Sequence, residues 1–158
     1  MPDIIQPGTV APDFTLTANN HENINLRSFR GQPVVLVFYP ADWSGVCGDQ
    51  LSMYTEIESE FKKHNAQLIG VSVDGKWSHK AFAETKKIGF PIVSDFEPKG
   101  AVARSFGVYN AGAGVAERAL VVIDADGVVR WSDVSPMMTN PGADGILTAL
   151  DQLSGAAV

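Results

Sequence analysis

The 158-residue chain contains one cysteine, Cys47. A single thiol closes no intramolecular disulfide and builds no multi-cysteine metal site, which points to a reducing compartment and a cytoplasmic location. Basic residues are also scarce, twelve Lys and Arg against eighteen Asp and Glu for a formal net charge of −6. They gather only in short pairs such as Lys62-Lys63 and Lys86-Lys87, which disfavours a nucleic-acid partner. No apolar run approaches the roughly 20 residues needed to span a bilayer. The opening MPDIIQPGTVAPDF has no basic stretch leading into an apolar one, so no secretory leader is expected. His21, His64 and His79 lie far apart with no i, i+4 pair, and are read as surface or polar-boundary residues rather than zinc ligands. Repeats, low-complexity tracts and linkers are missing, so residues 1–158 are expected to form one domain.

What is present is a composition of 45% hydrophobic and 19% charged residues, ordinary for a compact fold. Segments 14–16 and 24–26 alternate and are separated by Asn19-Asn20-His21-Glu22, which predicts an N-terminal hairpin. The run 33–39 (PVVLVFY) reads as a strand buried on both faces, stopped by Pro40. From 46 to about 63 the apolar residues Leu51, Tyr54, Ile57 and Phe61 recur every three or four positions, which predicts one amphipathic helix. Strands are expected at 67–73 and 90–95 and helices at 77–87 and 99–105. A hairpin pairs 118–123 with 128–131 around Asp126-Gly127, and a closing helix covers 143–153. This order predicts an α/β fold with a central mixed sheet flanked by helices.

Cys47 follows the buried strand by eight residues and falls in the first turn of the next helix, where unpaired N–H groups and the helix dipole favour an anion. Only the thiolate is a competent nucleophile. Asp42 and Asp49 are close in sequence and oppose it, so a cation from a distant part of the chain is needed. Read alone, such a cysteine is an inert buried residue, Arg118 a solvated or salt-bridged one, and Ser44 an N-cap. Trp43, Trp77 and Trp131 are read as core or interface aromatics.

The neighbours of Cys47 change that reading. The stretch PADWSGVC at 40–47 resembles the peroxiredoxin active-site pattern of Pro, then Thr or Ser, then the peroxidatic Cys. APDF at 11–14, FPIVSD at 90–95 and the strand carrying Arg118 at 118–124 are similar to further peroxiredoxin segments. SDFEPKGAV at 94–102 resembles the one-cysteine, alkyl hydroperoxide reductase E-like group. The resemblance implies a thioredoxin-like fold with an N-terminal β-hairpin extension, and a thiol peroxidase that needs no cofactor and no metal. It implies that Cys47 attacks the peroxide and becomes a sulfenic acid. Arg118 and the N–H groups of Val46 and Cys47 would stabilise the departing oxygen. Arg118 would also be the missing cation, Ser44 would join the hydrogen-bond network, and Pro40 would shield the thiolate. Gln50 stands where that group carries Glu, and would hold Arg118 by a neutral hydrogen bond.

With no second thiol, an external reductant is implied: thioredoxin, a glutaredoxin-like protein or a low-molecular-weight thiol. Ser52 and Ser78 stand where some relatives carry a resolving Cys, so a one-cysteine enzyme and a serine-substituted two-cysteine enzyme both fit; the first is the expectation. A homodimer is also implied. A thioredoxin-type oxidoreductase needs Cys-x-x-Cys, whereas the chain has Cys47-Gly48-Asp49-Gln50, and a monothiol glutaredoxin fits the residues around Cys47 less well. The alternative of another class is a peroxide sensor without turnover, or a thioredoxin-fold binding module.

Overall fold

The computed structural model describes residues 3–156. Strands β1 (Thr15–Ala18) and β2 (Asn23–Asn25) form the expected hairpin, with Thr15 opposite Asn25. A 3-10 turn, Leu26–Phe29, follows, its first turn capped by the Asn25 side chain accepting from the Ser28 N–H. The apolar run becomes β3 (Val34–Phe38), with all five residues buried.

The helix expected over 46–63 is two: α1 (Gly45–Glu56) and α2 (Glu58–Lys62), separated by Ile57 at φ −104° and ψ 23°. The apolar spacing continues across the break, so periodicity could not reveal it. Phe61 beyond the break is still fully buried, edge-on to Tyr54 with ring centroids 6.0 Å apart. Strand β4 (Gln67–Ser72), helix α3 (Lys76–Lys86) and strand β5 (Ile92–Ser94) come next, then α4 (Ala101–Ser105). The Asp95 carboxylate accepts from the N–H groups of Val102 and Ala103 at the start of α4, at 3.0 and 2.8 Å.

A small separate hairpin, β6 (Tyr109–Asn110) with β7 (Val115–Ala116), was not expected; strands of two residues have no alternation to read. Strands β8 (Arg118–Ile123) and β9 (Val129–Ser135) form the predicted second hairpin, with β9 running further than 131, and α5 (Asp144–Ala156) closes the fold.

The seven strands are ordered β2-β1-β5-β4-β3-β8-β9. β3, β4 and β5 are parallel to one another, whereas β1, β2, β8 and β9 join antiparallel. The N-terminal hairpin is therefore hydrogen-bonded into the central sheet through β1 and β5. Alternation along β3 splits the core in two. Val34, Leu36 and Phe38 enter a cluster with Phe14, Val102 and Phe106. Val35, Val37 and Tyr39 enter another with Cys47, Leu51, Phe82 and Ile146 on the opposite face. The sheet is thus covered on both sides, as a run of continuously buried β-branched residues requires.

Candidate active site

β3 delivers the chain to the site. Tyr39 continues the strand by donating its N–H to the Val71 carbonyl at 3.0 Å, and Pro40, half-buried, ends it. The loop then passes through Trp43, a non-glycine residue in the left-handed region at φ +70°, and reaches Ser44 at the N-cap of α1. Ser44 does not cap by its side chain, contrary to expectation. Its backbone serves instead: its carbonyl accepts the first helical hydrogen bond, from the Gly48 N–H at 2.9 Å. The N–H groups of Gly45, Val46 and Cys47 lie ahead of that bond, without intrahelical partners. Cys47 is fully buried among Tyr39, Leu51 and Phe82.

Arg118 opens β8, one residue before Ala119, which pairs with Phe38 across the sheet. That register carries the guanidinium from 71 positions away in sequence to Cys47. Nη2 donates to Cys47 Sγ at 3.4 Å and Nη1 to Gln50 Oε1 at 2.8 Å. Nε and Nη2 both donate to the Met137 carbonyl, at 2.9 and 2.6 Å. Arg118 is 1% exposed. Among the described residues no carboxylate forms an ion pair with it, and the Cys47 thiol is the acidic side chain it donates to directly. The Gln50 amide donates to the Tyr54 hydroxyl at 3.2 Å, and that hydroxyl donates to the Gly142 carbonyl at 2.8 Å. Burial pushes the Tyr54 phenol up to about 12, against the lowering influence of Gln50 and Arg118.

The carboxylates expected to oppose the thiolate are directed elsewhere. Asp49 is exposed. Asp42 is buried, accepts from Tyr39 OH (2.7 Å) and Ser78 Oγ (2.9 Å), and lies 2.8 Å from His79 Nδ1. His79 is therefore no surface residue: it is fully buried, and nothing in its spacing could have shown this, because its partner lies 37 residues away. The tryptophans also depart from expectation as core residues. Trp43 and Trp77 are 52% and 68% exposed, and only Trp131 is packed against the core. Tyr54, four residues after Gln50 on one helical face, could have been anticipated from that spacing. The Met137 and Gly142 carbonyls could not, since any residue supplies one.

The AhpC/TSA family model matches residues 7–132. The chain belongs to that family, and is a peroxiredoxin. Alkyl hydroperoxide reductase E of Mycobacterium tuberculosis is 36% identical over 140 residues, covering 88% of this chain and 89% of that one. Peroxiredoxin-1 of Gallus gallus is 35% identical, covering 87% of this chain and 73% of that one. Among solved structures, peroxidoxin BcpB from M. tuberculosis superposes with a TM-score of 0.84 at 28% identity, covering 94% of this chain and 98% of its own. AhpC of Enterococcus faecalis gives 0.87 at 29% identity, covering 99% and 95%. The fold of this peroxiredoxin is thioredoxin-like, and its activity is that of a thiol-dependent peroxidase.

Proposed function

We propose that Cys47 is the peroxidatic residue and that Arg118, Ser44, Pro40, Val46 and Gln50 complete its site. The observation that carries this is a buried guanidinium, without a carboxylate partner among the described residues, donating to the only thiol at 3.4 Å. The thiolate attacks the terminal oxygen of the peroxide and an S–O bond forms. The O–O bond breaks, and sulfur gives two electrons. The departing alkoxide or hydroxide takes a proton and leaves as alcohol or water, and Cys47 remains as sulfenic acid. Negative charge grows on the departing oxygen, and donors already aimed at it lower the barrier without reorganising. Arg118 and the free N–H groups of Val46 and Cys47 are those donors. Gln50 orients the guanidinium, Ser44 contributes a hydroxyl that can both donate and accept, and Pro40, lacking an N–H, keeps the strand end closed.

The reductant is an external thiol, either a thioredoxin, a glutaredoxin-like protein or a low-molecular-weight thiol. Ser78 supports the one-cysteine cycle, because its hydroxyl donates to Asp42 at 2.9 Å where a thiol would donate only weakly. We further propose that residues 1–158 act as one domain, as a cytoplasmic homodimer with an antioxidant role. A lone reduced cysteine suits that compartment, and Trp43 and Trp77 offer exposed aromatic surface.

Stopped-flow tryptophan fluorescence after mixing the reduced protein with hydrogen peroxide tests the assignment. A fast second-order phase that vanishes in Cys47→Ser is expected. Oxidation no faster than that of free cysteine would overturn it in favour of a sensor or binding role.

A further inference from the structure

Behind the Cys47 loop lies a buried polar network that the peroxide chemistry above does not use. It joins Tyr39 at the end of β3, Asp42 in the loop, Ser72 and Asp74 at the end of β4, Ser78 and His79 on α3, and the Val93 carbonyl of β5. His79 Nε2 faces that carbonyl at 3.0 Å. A carbonyl only accepts, so Nε2 carries hydrogen. Nδ1 faces Asp42 Oδ2 at 2.8 Å, and one proton lies between them. Burial, then the neighbouring Asp42 carboxylate, holds the Tyr39 phenol well above its usual range, so Tyr39 remains a donor to Asp42. The Asp42 N–H in turn donates to Asp74 Oδ2 at 2.9 Å, an atom that also accepts from Ser72 Oγ at 2.6 Å. Backbone and side chain of Asp42 are both tied.

Asp42, Asp74 and His79 offer atoms within 4.8 Å of one another, a spacing compatible with a cation. Hydrogen bonds already engage both Asp42 oxygens, Asp74 Oδ2 and both His79 nitrogens, so the cluster works as a tether. The residue after Asp42 shows what is tethered. Trp43 has φ +70°, a conformation that costs a bulky L-residue roughly 1–3 kcal/mol and persists only where its surroundings over-determine it. Its indole, half exposed, meets only the edge of Phe82 at 5.3 Å among aromatic partners. The network on its N-terminal side ties Asp42 by backbone and side chain, and Ser44 and the first N–H groups of α1 follow directly.

We propose that His79 is a positioning residue for peroxide reduction: anchored on the Val93 carbonyl, it fixes Asp42 and thereby holds the 42–47 turn in its reactive arrangement. The role of that turn rests on the peroxidase reading; the tether itself does not.

Two substitutions separate the two faces of the imidazole. The amide of His79→Asn falls near Nδ1 and keeps a donor toward Asp42; that of His79→Gln falls near Nε2, keeps the Val93 bond and leaves the Asp42 carboxylate with Tyr39 and Ser78 alone. Each full-length variant is compared with wild type in two reactions of Cys47, oxidation by hydrogen peroxide and alkylation by iodoacetamide. Alkylation needs only access and the thiolate, whereas peroxide also needs the donors aligned on the departing oxygen. A misplacement of about 1 Å costs about 10²-fold in an aligned reaction. His79→Gln is therefore expected to oxidise at least about tenfold more slowly and to alkylate faster, with His79→Asn, which keeps the Asp42 contact but not the Val93 anchor, falling between it and wild type in both rates. If both variants match wild type, or if oxidation and alkylation slow in parallel, the inference is overturned. Should His79→Gln not fold, Asp42→Asn is read by the same split, and its absence has the same meaning. A wild-type protein inert to peroxide would sink the peroxidase reading alone, because alkylation still reports the tether.

Discussion

Arg118 spends its donors on one sulfur, one amide and one backbone carbonyl, and this fixed fork is what a lysine lacks. Arg118→Met removes both the cation and the donors proposed to meet the departing oxygen, and a loss of about 10²-fold or more in the rate of Cys47 oxidation is expected. Arg118→Lys should fall between the two, because an ammonium restores charge without the fork. Gln50 makes the complementary case. Gln50→Leu, at a fully buried position, leaves Arg118 Nη1 without its acceptor and Tyr54 without the amide donor. Unfolding in urea should show a loss of about 1–3 kcal/mol, accompanied by slower oxidation. A stability loss at unchanged oxidation rate would mean that Gln50 does not orient the guanidinium. Motif and resemblance single out Cys47, Gln50 and Arg118, and the hydrogen bonds of Arg118 bring these three together. The hydrogen bonds of His79 and Asp42 were not legible in the sequence, since they are contacts between elements that no local spacing encodes.

At the scale of elements, the β8–β9 hairpin is closed by Asp124. Its carboxylate accepts from the N–H groups of Asp126 and Val128, both at 2.9 Å, and from Arg130 Nε at 2.7 Å. Partial burial would raise this carboxyl, but the Arg130 bond and charge and the two backbone bonds outweigh it and hold it below 3.8. A carboxyl depressed in the folded state stabilises fully above its unfolded value, and that contribution disappears as pH falls through the folded value. Asp124→Asn should therefore lose about 1 kcal/mol near neutral pH, with wild type and variant converging as the pH drops below 3.8. A gap that persisted in acid would show that the turn geometry, and not the charge, is what matters. The buried strands β3, β4 and β8 were readable from their β-branched runs, whereas β9, with no such run, was read only to 131. The break at Ile57 and the two-residue strands β6 and β7 were not readable, because an unbroken apolar period hides the first and a glycine-rich stretch, 109–116, hides the second.

The whole molecule has two cores that do different work. Phe106 is fully buried on the face away from Cys47, near Phe14 and Phe38 at centroid distances of 6.3 and 5.5 Å. Phe106→Ala should cost about 3–5 kcal/mol in urea unfolding while leaving the oxidation rate of the folded protein within about twofold. A large drop in that rate would mean that the two cores are mechanically coupled through the sheet.

β3 acts as a ruler between those cores. Odd and even residues along it belong to opposite sides, and the count that puts Val35 and Val37 on the thiol's side also puts Tyr39 there, with its hydroxyl 2.7 Å from Asp42. Inserting or deleting one residue ahead of Val34 would exchange the two lining sets and turn the phenol to the far side of the sheet. The loop that leads to Cys47 would then lose an anchor without any of its own residues having changed.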